Sequence, residues 1–288
     1  MSEGEHKIAD TRGKFLQAMK DGHKMTDADW TSGRILLSNK RLVLAGNEGK
    51  RTIQLSNIES MSGRYDVNQT VASVSDYLSI EVGDDVLLVS SNMDIDEFEA
   101  KLYGAMLNQT MILTKHPAVE GGVVQDTDWE RARVKIEVGE VGIAVASGTF
   151  IQIELDDVGQ VDTAKRTVEG ESRTVLEVEH TEGDTSIQTY ISGKAQRCSL
   201  LGSLFRKGEQ QSRAGVELDE MEKEVLMALY TGVSSFEIPD FLGMDVDRVE
   251  EIFERLIELD VLEEVRKRRE VSLKTRGRNI ASESISEK

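Results

Sequence analysis

The chain of 288 residues is predicted to be an α+β protein in which one β-rich module is used twice and a smaller helical module follows. Three observations predict it. Apolar residues fall on alternate positions through much of the first two-thirds, as in Val134, Ile136 and Val138 around Lys135 and Glu137. The pattern of Gly33 to Met61, three short strands joined by tight turns and ending in the apolar steps Leu55 and Ile58, returns about a hundred residues later. From Leu218 onward the apolar period becomes helical.

Taken in order, residues 1–12 read as a loose leader and Gly13 to Gln17 (GKFLQ) as the first strand. Its counterpart in the second copy is read as GGVVQ, Gly121 to Gln125, 108 residues on. Trp30 and Trp129 both follow an aspartate but lie 99 residues apart, so copy one is expected to carry about nine extra residues in its first loop. Beyond the tryptophans the register holds. Leu55 maps to Leu155 and Ile58 to Val158, and Ile80 to Val178 with a shift of 98. A period near 100 is too long for a solenoid and right for a duplicated domain.

Each copy should close with a helix. In copy one Asp94 and Glu97 have the spacing of a capping box, and Ile95, Phe98, Leu102 and Met106 form one apolar stripe. Ala195, Cys198, Leu201 and Phe205 repeat the stripe, which makes Cys198 a packed thiol. Arg206 to Gly215 reads as a linker. The expected boundaries are 1–113, 114–211 and 212–280, with a flexible tail at 281–288.

In the third module Leu218, Met221, Val225, Ala228 and Leu229 stripe a helix ending near Gly232. Ser235 is expected to cap a short second helix stopped by Gly243. Asp245 should open a third, with Val246, Val249, Phe253, Leu256 and Leu259 inward. Short strands at 262–265 and 270–273 then close a hairpin.

Composition restricts function. There is no run of about 18 apolar residues, and the first ten residues, MSEGEHKIAD, lack the apolar core of a secretory signal. A single cysteine excludes an internal disulfide, and the profile is that of a cytoplasmic protein. The net charge of -18 is spread over all three modules, with 17 acids against 12 bases in 1–113, 17 against 11 in 114–211 and 19 against 12 in 212–288. Such even spread reads as a hydrated acidic surface suited to high salt, in preference to the competing reading of acid placed to repel nucleic acid and anionic lipid. Within the third module the charge is segregated. Residues 217–264 hold 16 acids and 3 bases, whereas Arg266, Lys267, Arg268, Arg269, Lys274, Arg276 and Arg278 crowd the closing hairpin. That hairpin either balances its own module or offers an electropositive patch to an acidic protein partner.

No catalytic residue, cofactor site or metal site is predicted. GNEGKR at Gly46 to Arg51 fails the phosphate-loop spacing, and neither a GxSxG elbow nor an HExxH pair is present. His6, His23, His116 and His180 show no ligand spacing, and the adjacent pairs Asp84–Asp85 and Asp156–Asp157 point to opposite faces of a strand. Lys40, Arg41, Lys50 and Arg51 are read as structural turn residues rather than a phosphoinositide site.

Six or seven antiparallel strands with one C-terminal helix resemble a pleckstrin-homology-like (PH-like) barrel, and RILLSNKRLVLAG followed by IQLSNI resembles its GRAM-type branch. Three helices and a hairpin ending VSLKTRGRNI resemble a winged helix. A winged helix raises the alternative of a DNA-binding transcription regulator with PH-like sensor domains. Against it, the third helix carries seven acids between Asp245 and Asp260 against Arg248 and Arg255. Over its whole length the chain resembles the archaeal CheF taxis family, with GRILLSNKRLVL, IQLSNI and VSLKTRGR carrying the likeness. The resemblance implies a non-catalytic adaptor at the cytoplasmic face of the archaellum motor. Its implied partners are the response regulator CheY, phosphorylated form preferred, and switch proteins of the FlaC/D/E type, with other Che proteins in reach. On this reading Arg266, Lys267, Arg268, Arg269, Lys274 and Arg276 are the candidate CheY contact, and the chain is expected to form a homodimer.

Overall fold

The computed structural model describes residues 4–25, 28–47, 49–62, 76–183, 185–214, 218–259 and 261–262. It is mixed α and β, with two large antiparallel sheets followed by several helices.

The first repeat runs β1 (Lys7–Lys20), β2 (His23–Lys24), β3 (Thr31–Ser38), β4 (Arg41–Gly46), β5 (Gly49–Gln54), a 3-10 turn at Leu55–Asn57, β6 (Ser60–Ser62), β7 (Leu78–Val82), β8 (Asp85–Ser91) and helix α1 (Ile95–Leu107). The second runs β9 (Met111–Glu120), β10 (Val123–Val124), β11 (Glu130–Glu137), β12 (Glu140–Val145), β13 (Phe150–Glu154), a 3-10 turn at Leu155–Asp157, β14 (Gln160–Val168), β15 (Glu171–Glu182), β16 (Thr185–Ser192) and helix α2 (Ala195–Ala214). The strand orders are β5-β4-β3-β1-β8-β7-β6 and β13-β12-β11-β9-β16-β15-β14, with β2 on β1 and β10 on β9. The duplication read from the tryptophans and the Leu55/Leu155 step is therefore a duplication of topology.

Two expectations about its first strand fail. Residues 7–12 are not a leader but the opening half of β1, because the turn Ser38–Lys40 grips what precedes them. The Asn39 side chain accepts from the His6 amide at 3.0 Å and donates to the Gly4 carbonyl at 3.1 Å. Nor is GGVVQ the partner of GKFLQ. The true counterpart of β1 is β9, and GGVVQ matches the hairpin return Gly22–Met25. Met25 donates its amide to the Ala18 carbonyl and Gln125 to the Ala118 carbonyl, both at 3.0 Å and 100 residues apart. The nine-residue insertion disappears with that realignment.

Successive positions of β1 serve two cores. Phe15 packs against the main one, whereas Leu16 and Ala18 join Val86, Leu88 and Trp30 in a small cluster on the opposite face. In repeat two Ala118, Val168, Val175 and Tyr190 gather with Trp129 in the same way. The main core is shared. Ile35, Leu44, Ile58 and Phe98 of repeat one belong to one continuous buried cluster with Val134, Ile143, Leu201 and Phe205 of repeat two.

The closing helices explain that continuity. Besides its own sheet, α1 packs on β11 of repeat two, and α2 packs on β6 of repeat one as well as on β14, β15 and the Leu155 turn. Asn108, at the end of α1, accepts from the Ile136 amide at 2.6 Å through its side chain, and Gln196 donates to the Ser56 and Ile58 carbonyls at 2.9 and 2.7 Å. Cys198 is half-buried on α2 beside this seam, and burial pushes its thiol pKa up, in keeping with a packed thiol. Residues 206–214 of the expected linker are instead the second half of α2, held because Lys207 reaches Asp96 at 2.9 Å and also pairs with Glu99 on α1, and Gly215 lies outside the described residues. Gly208 allows the close approach: a β-carbon there would stand 2.3 Å from the Leu155 carbonyl oxygen.

Residues 1–215 thus form one compact unit, and 216–288 a second. In the latter α3 (Glu220–Tyr230), α4 (Ile238–Leu242) and α5 (Val246–Glu258) enclose Val225, Ala228, Ile238, Val249, Ile252 and Leu256.

Candidate protein-interaction surfaces

The helical unit is set by its caps. Asp219 and Glu222 form a reciprocal capping box, each side chain accepting the other's amide at 2.8 and 2.7 Å. Glu222, buried, also takes Arg255 of α5 at 2.9 Å, which ties the first helix to the third. Ser235 does not cap α4. The chain makes one more turn, Glu237 donating its amide to the Ser234 carbonyl at 2.8 Å, and the helix starts with Pro239 in its first turn. Gly243 stops it in a left-handed conformation (φ 65°), and Asp245 caps α5 by accepting the Asp247 amide at 3.0 Å, both as the sequence predicts. Val246 points outward, 58% exposed, and Ile252 takes the inward place expected for it.

These caps leave large apolar side chains on the surface. Met227, Tyr230, Phe236 and Phe241 are all more than 60% exposed, Tyr230 reaching 92%. Tyr230 leads into a depression of about 550 Å³ bounded by Thr231, Val233, Glu237, Asp240 and Phe241. On α5, Asp247, Glu250, Glu251 and Glu254 face solvent, while Arg248 is paired with Glu251 at 2.8 Å and Arg255 with Glu222. Among the described residues this is an apolar and acidic surface, suited to a protein partner and unsuited to a phosphate backbone. Tyr230, Phe236 and Phe241 are not among the residues singled out from the sequence, where their only signal is that each falls off the inward stripe. The predicted contact residues Arg266, Lys267, Arg268, Arg269, Lys274 and Arg276, and both hairpin strands apart from Leu262, lie outside the described residues.

In the double repeat, Arg41 and Arg51 are structural, as expected from the sequence. Arg41 forms a two-pronged pair with Glu5 at 2.8 and 2.9 Å, and Arg51 reaches Gln17 and Asp85 at 2.7 and 2.6 Å. Where the repeats meet, a cleft of about 450 Å³ is lined by Asp96, Glu99, Glu137, Glu140, Glu154 and Asp156, with Lys207 among them. Burial raises the Glu99 pKa, partly offset by Lys207. Burial works against the Lys207 charge, but Glu99 and Asp96 outweigh it and raise its pKa. Burial and the neighbouring Glu137 raise that of Glu140.

Two of the histidines, which show no ligand spacing in the sequence, come together in the fold. His116 on β9 and His180 on β15 flank β16 with their rings stacked, centroids 6.1 Å apart, and Glu182 joins them. Burial lowers the pKa of both rings. A separation of 64 residues hides the pairing in the sequence, and only correct strand order brings it out.

A family model described as "Archaeal Chemotaxis signal transduction system protein F" matches residues 7–211, and a domain family of unknown function matches 217–286. Taxis protein CheF1 of Halobacterium salinarum is 61% identical over 289 residues, covering 100% of both chains. Taxis protein CheF2 of the same organism is 25% identical over 267 residues, covering 90% of this chain and 91% of its own.

Proposed function

Because the chain belongs to the archaeal CheF family of chemotaxis signal-transduction proteins, we propose that it is a non-catalytic adaptor linking phosphorylated CheY to the switch complex of the archaellum motor. The observation that carries this reading is the division of labour in the fold: two repeats interlocked through their helices into one body, and a separate helical unit with exposed aromatic side chains. A rigid body with a distinct docking module is what an adaptor requires.

On this proposal each repeat is a PH-like module, a view supported by a strand order in which the first strand joins both flanks of the sheet and a helix closes the unit. The three helices with the basic segment 266–278 make a winged-helix module whose Arg266, Lys267, Arg268, Arg269, Lys274 and Arg276 contact CheY. The double repeat docks on FlaC/D/E-type switch proteins, and the chain works as a homodimer in the cytoplasm. Aromatic side chains and arginines are the residue types that dominate such interfaces.

Titration of resting and phosphorylated CheY against the full chain tests it. At least tenfold tighter binding of the phosphorylated form is expected, about 1.4 kcal/mol of differential affinity. Equal affinities would overturn the adaptor reading.

A further inference from the structure

We propose that His116, His180 and Glu182 form a binding site for one divalent first-row transition-metal ion in the second repeat. The Thr189 hydroxyl, on the central strand β16, lies 2.8 Å from Nδ1 of His116 and 2.8 Å from Nε2 of His180. That contact orients both rings and leaves His116 Nε2 and His180 Nδ1 as the remaining nitrogens. His116 Nε2 stands 3.3 Å from a Glu182 carboxylate oxygen. His180 is only 2% exposed, and its buried Nδ1 has no partner of full hydrogen-bond geometry among the described residues, although the Thr181 backbone bears on the ring. A buried ring nitrogen satisfied so poorly is costly, and a bound ion would account for it.

One ligand atom from each of the three side chains lies within 4.8 Å of the others. Zinc takes nitrogen at about 2.0–2.1 Å and carboxylate oxygen at about 2.0–2.2 Å. Closing the trio onto one ion therefore draws all three ligand atoms inward, and Glu182, 40% exposed, is the side chain freest to move. Two imidazoles and one carboxylate suit zinc, cobalt, nickel or copper rather than calcium or magnesium, which prefer all-oxygen shells. Thr189 then plays the part of the outer hydrogen-bonding group that fixes the ring orientation of ligating histidines.

Comparison of the two repeats isolates the feature. Val161 pairs with Val178 and Val178 with Thr189, whereas Met61 pairs with Ile80 and Ile80 with Leu87. Repeat one thus has Leu87 where repeat two has Thr189, and Val82 where it has His180. At that corner repeat one has no imidazole, Gln17 opposite Leu87 being bonded to Arg51, which also holds Asp85, whereas repeat two brings two imidazoles together. A bound ion would join β9 to β15, two strands that are not hydrogen-bonded neighbours.

The test uses the full, untagged chain stripped with a chelator, then titrated with Zn²⁺ by calorimetry and with Co²⁺ by visible absorption. Expected are one equivalent per chain, a Co²⁺ spectrum with nitrogen ligation and a Tm raised by Zn²⁺. His180→Gln should abolish binding. Glu182→Gln, at a half-exposed position that leaves the core untouched, should weaken it at least tenfold with an unchanged far-ultraviolet circular dichroism spectrum. Absence of stoichiometric binding to the wild-type chain, or binding that survives Glu182→Gln at full strength, would overturn the proposal.

Discussion

Glu5 and Arg41 show how much a single ion pair does here. Ser38 donates its hydroxyl to Glu5 at 2.8 Å, Arg41 grips the same carboxylate with two nitrogens, and the Glu5 side chain is 2% exposed. The stretch RILLSNKRLVL, which stands out in the sequence, is conspicuous partly because Ser38, Asn39 and Arg41 hold the incoming chain in place. Sequence patterning assigns Arg41 to structure but not its partner, since Glu5 sits in a polar stretch with no apolar alternation to place it. Arg41→Ala leaves a carboxylate buried without its cation and is expected to cost about 3 kcal/mol in denaturant unfolding, with Glu5→Gln/Arg41→Met less costly than Arg41→Ala alone. A loss within 0.5 kcal/mol, the range of a plain surface substitution, would show that the pair is dispensable.

At the scale of elements, α2 departs furthest from the sequence reading. Its second half, KGEQQSRA, has no apolar stripe and contains a glycine, so periodicity assigns it to a linker. The helix persists because Gly208 lies against the Leu155 carbonyl and Lys207 bridges to Asp96 and Glu99 on α1. These are tertiary causes, and no local window contains them. Lys207→Met should destabilise the protein by about 3 kcal/mol at neutral pH by stranding the buried Glu99 carboxyl. The sign of the pH dependence follows from the raised Lys207 pKa. Its stabilisation is fully present below the ordinary lysine value of 10.5 and is lost as pH rises through the higher folded value. The stability gap between wild type and Lys207→Met should therefore narrow above pH 10.5, and a gap constant to strongly alkaline pH would contradict the assignment.

For the molecule as a whole, the duplication was legible because strands keep their register: Trp30 with Trp129, and the Leu55 and Leu155 steps into matching 3-10 turns. The fusion of the two cores was not, because α1 meeting β11 and α2 meeting β6 are contacts between copies that no comparison of one copy with the other reveals. A shared core implies shared cooperativity. In native-state hydrogen exchange of the full chain, the most protected amides of β4 and of β12 should open with the same free energy. Protection differing by more than about 1 kcal/mol would show that the repeats unfold independently.

The packing of each closing helix on the other repeat as well as its own also governs how the protein can be dissected. A fragment ending near residue 113 loses the surface on which α1 rests, and one beginning there strips from α2 the β6 strand it covers. Truncations in that region would fail to bind any partner simply because they are misassembled. The cut that spares both halves falls after residue 215, so mapping of partners should begin from that pair of fragments.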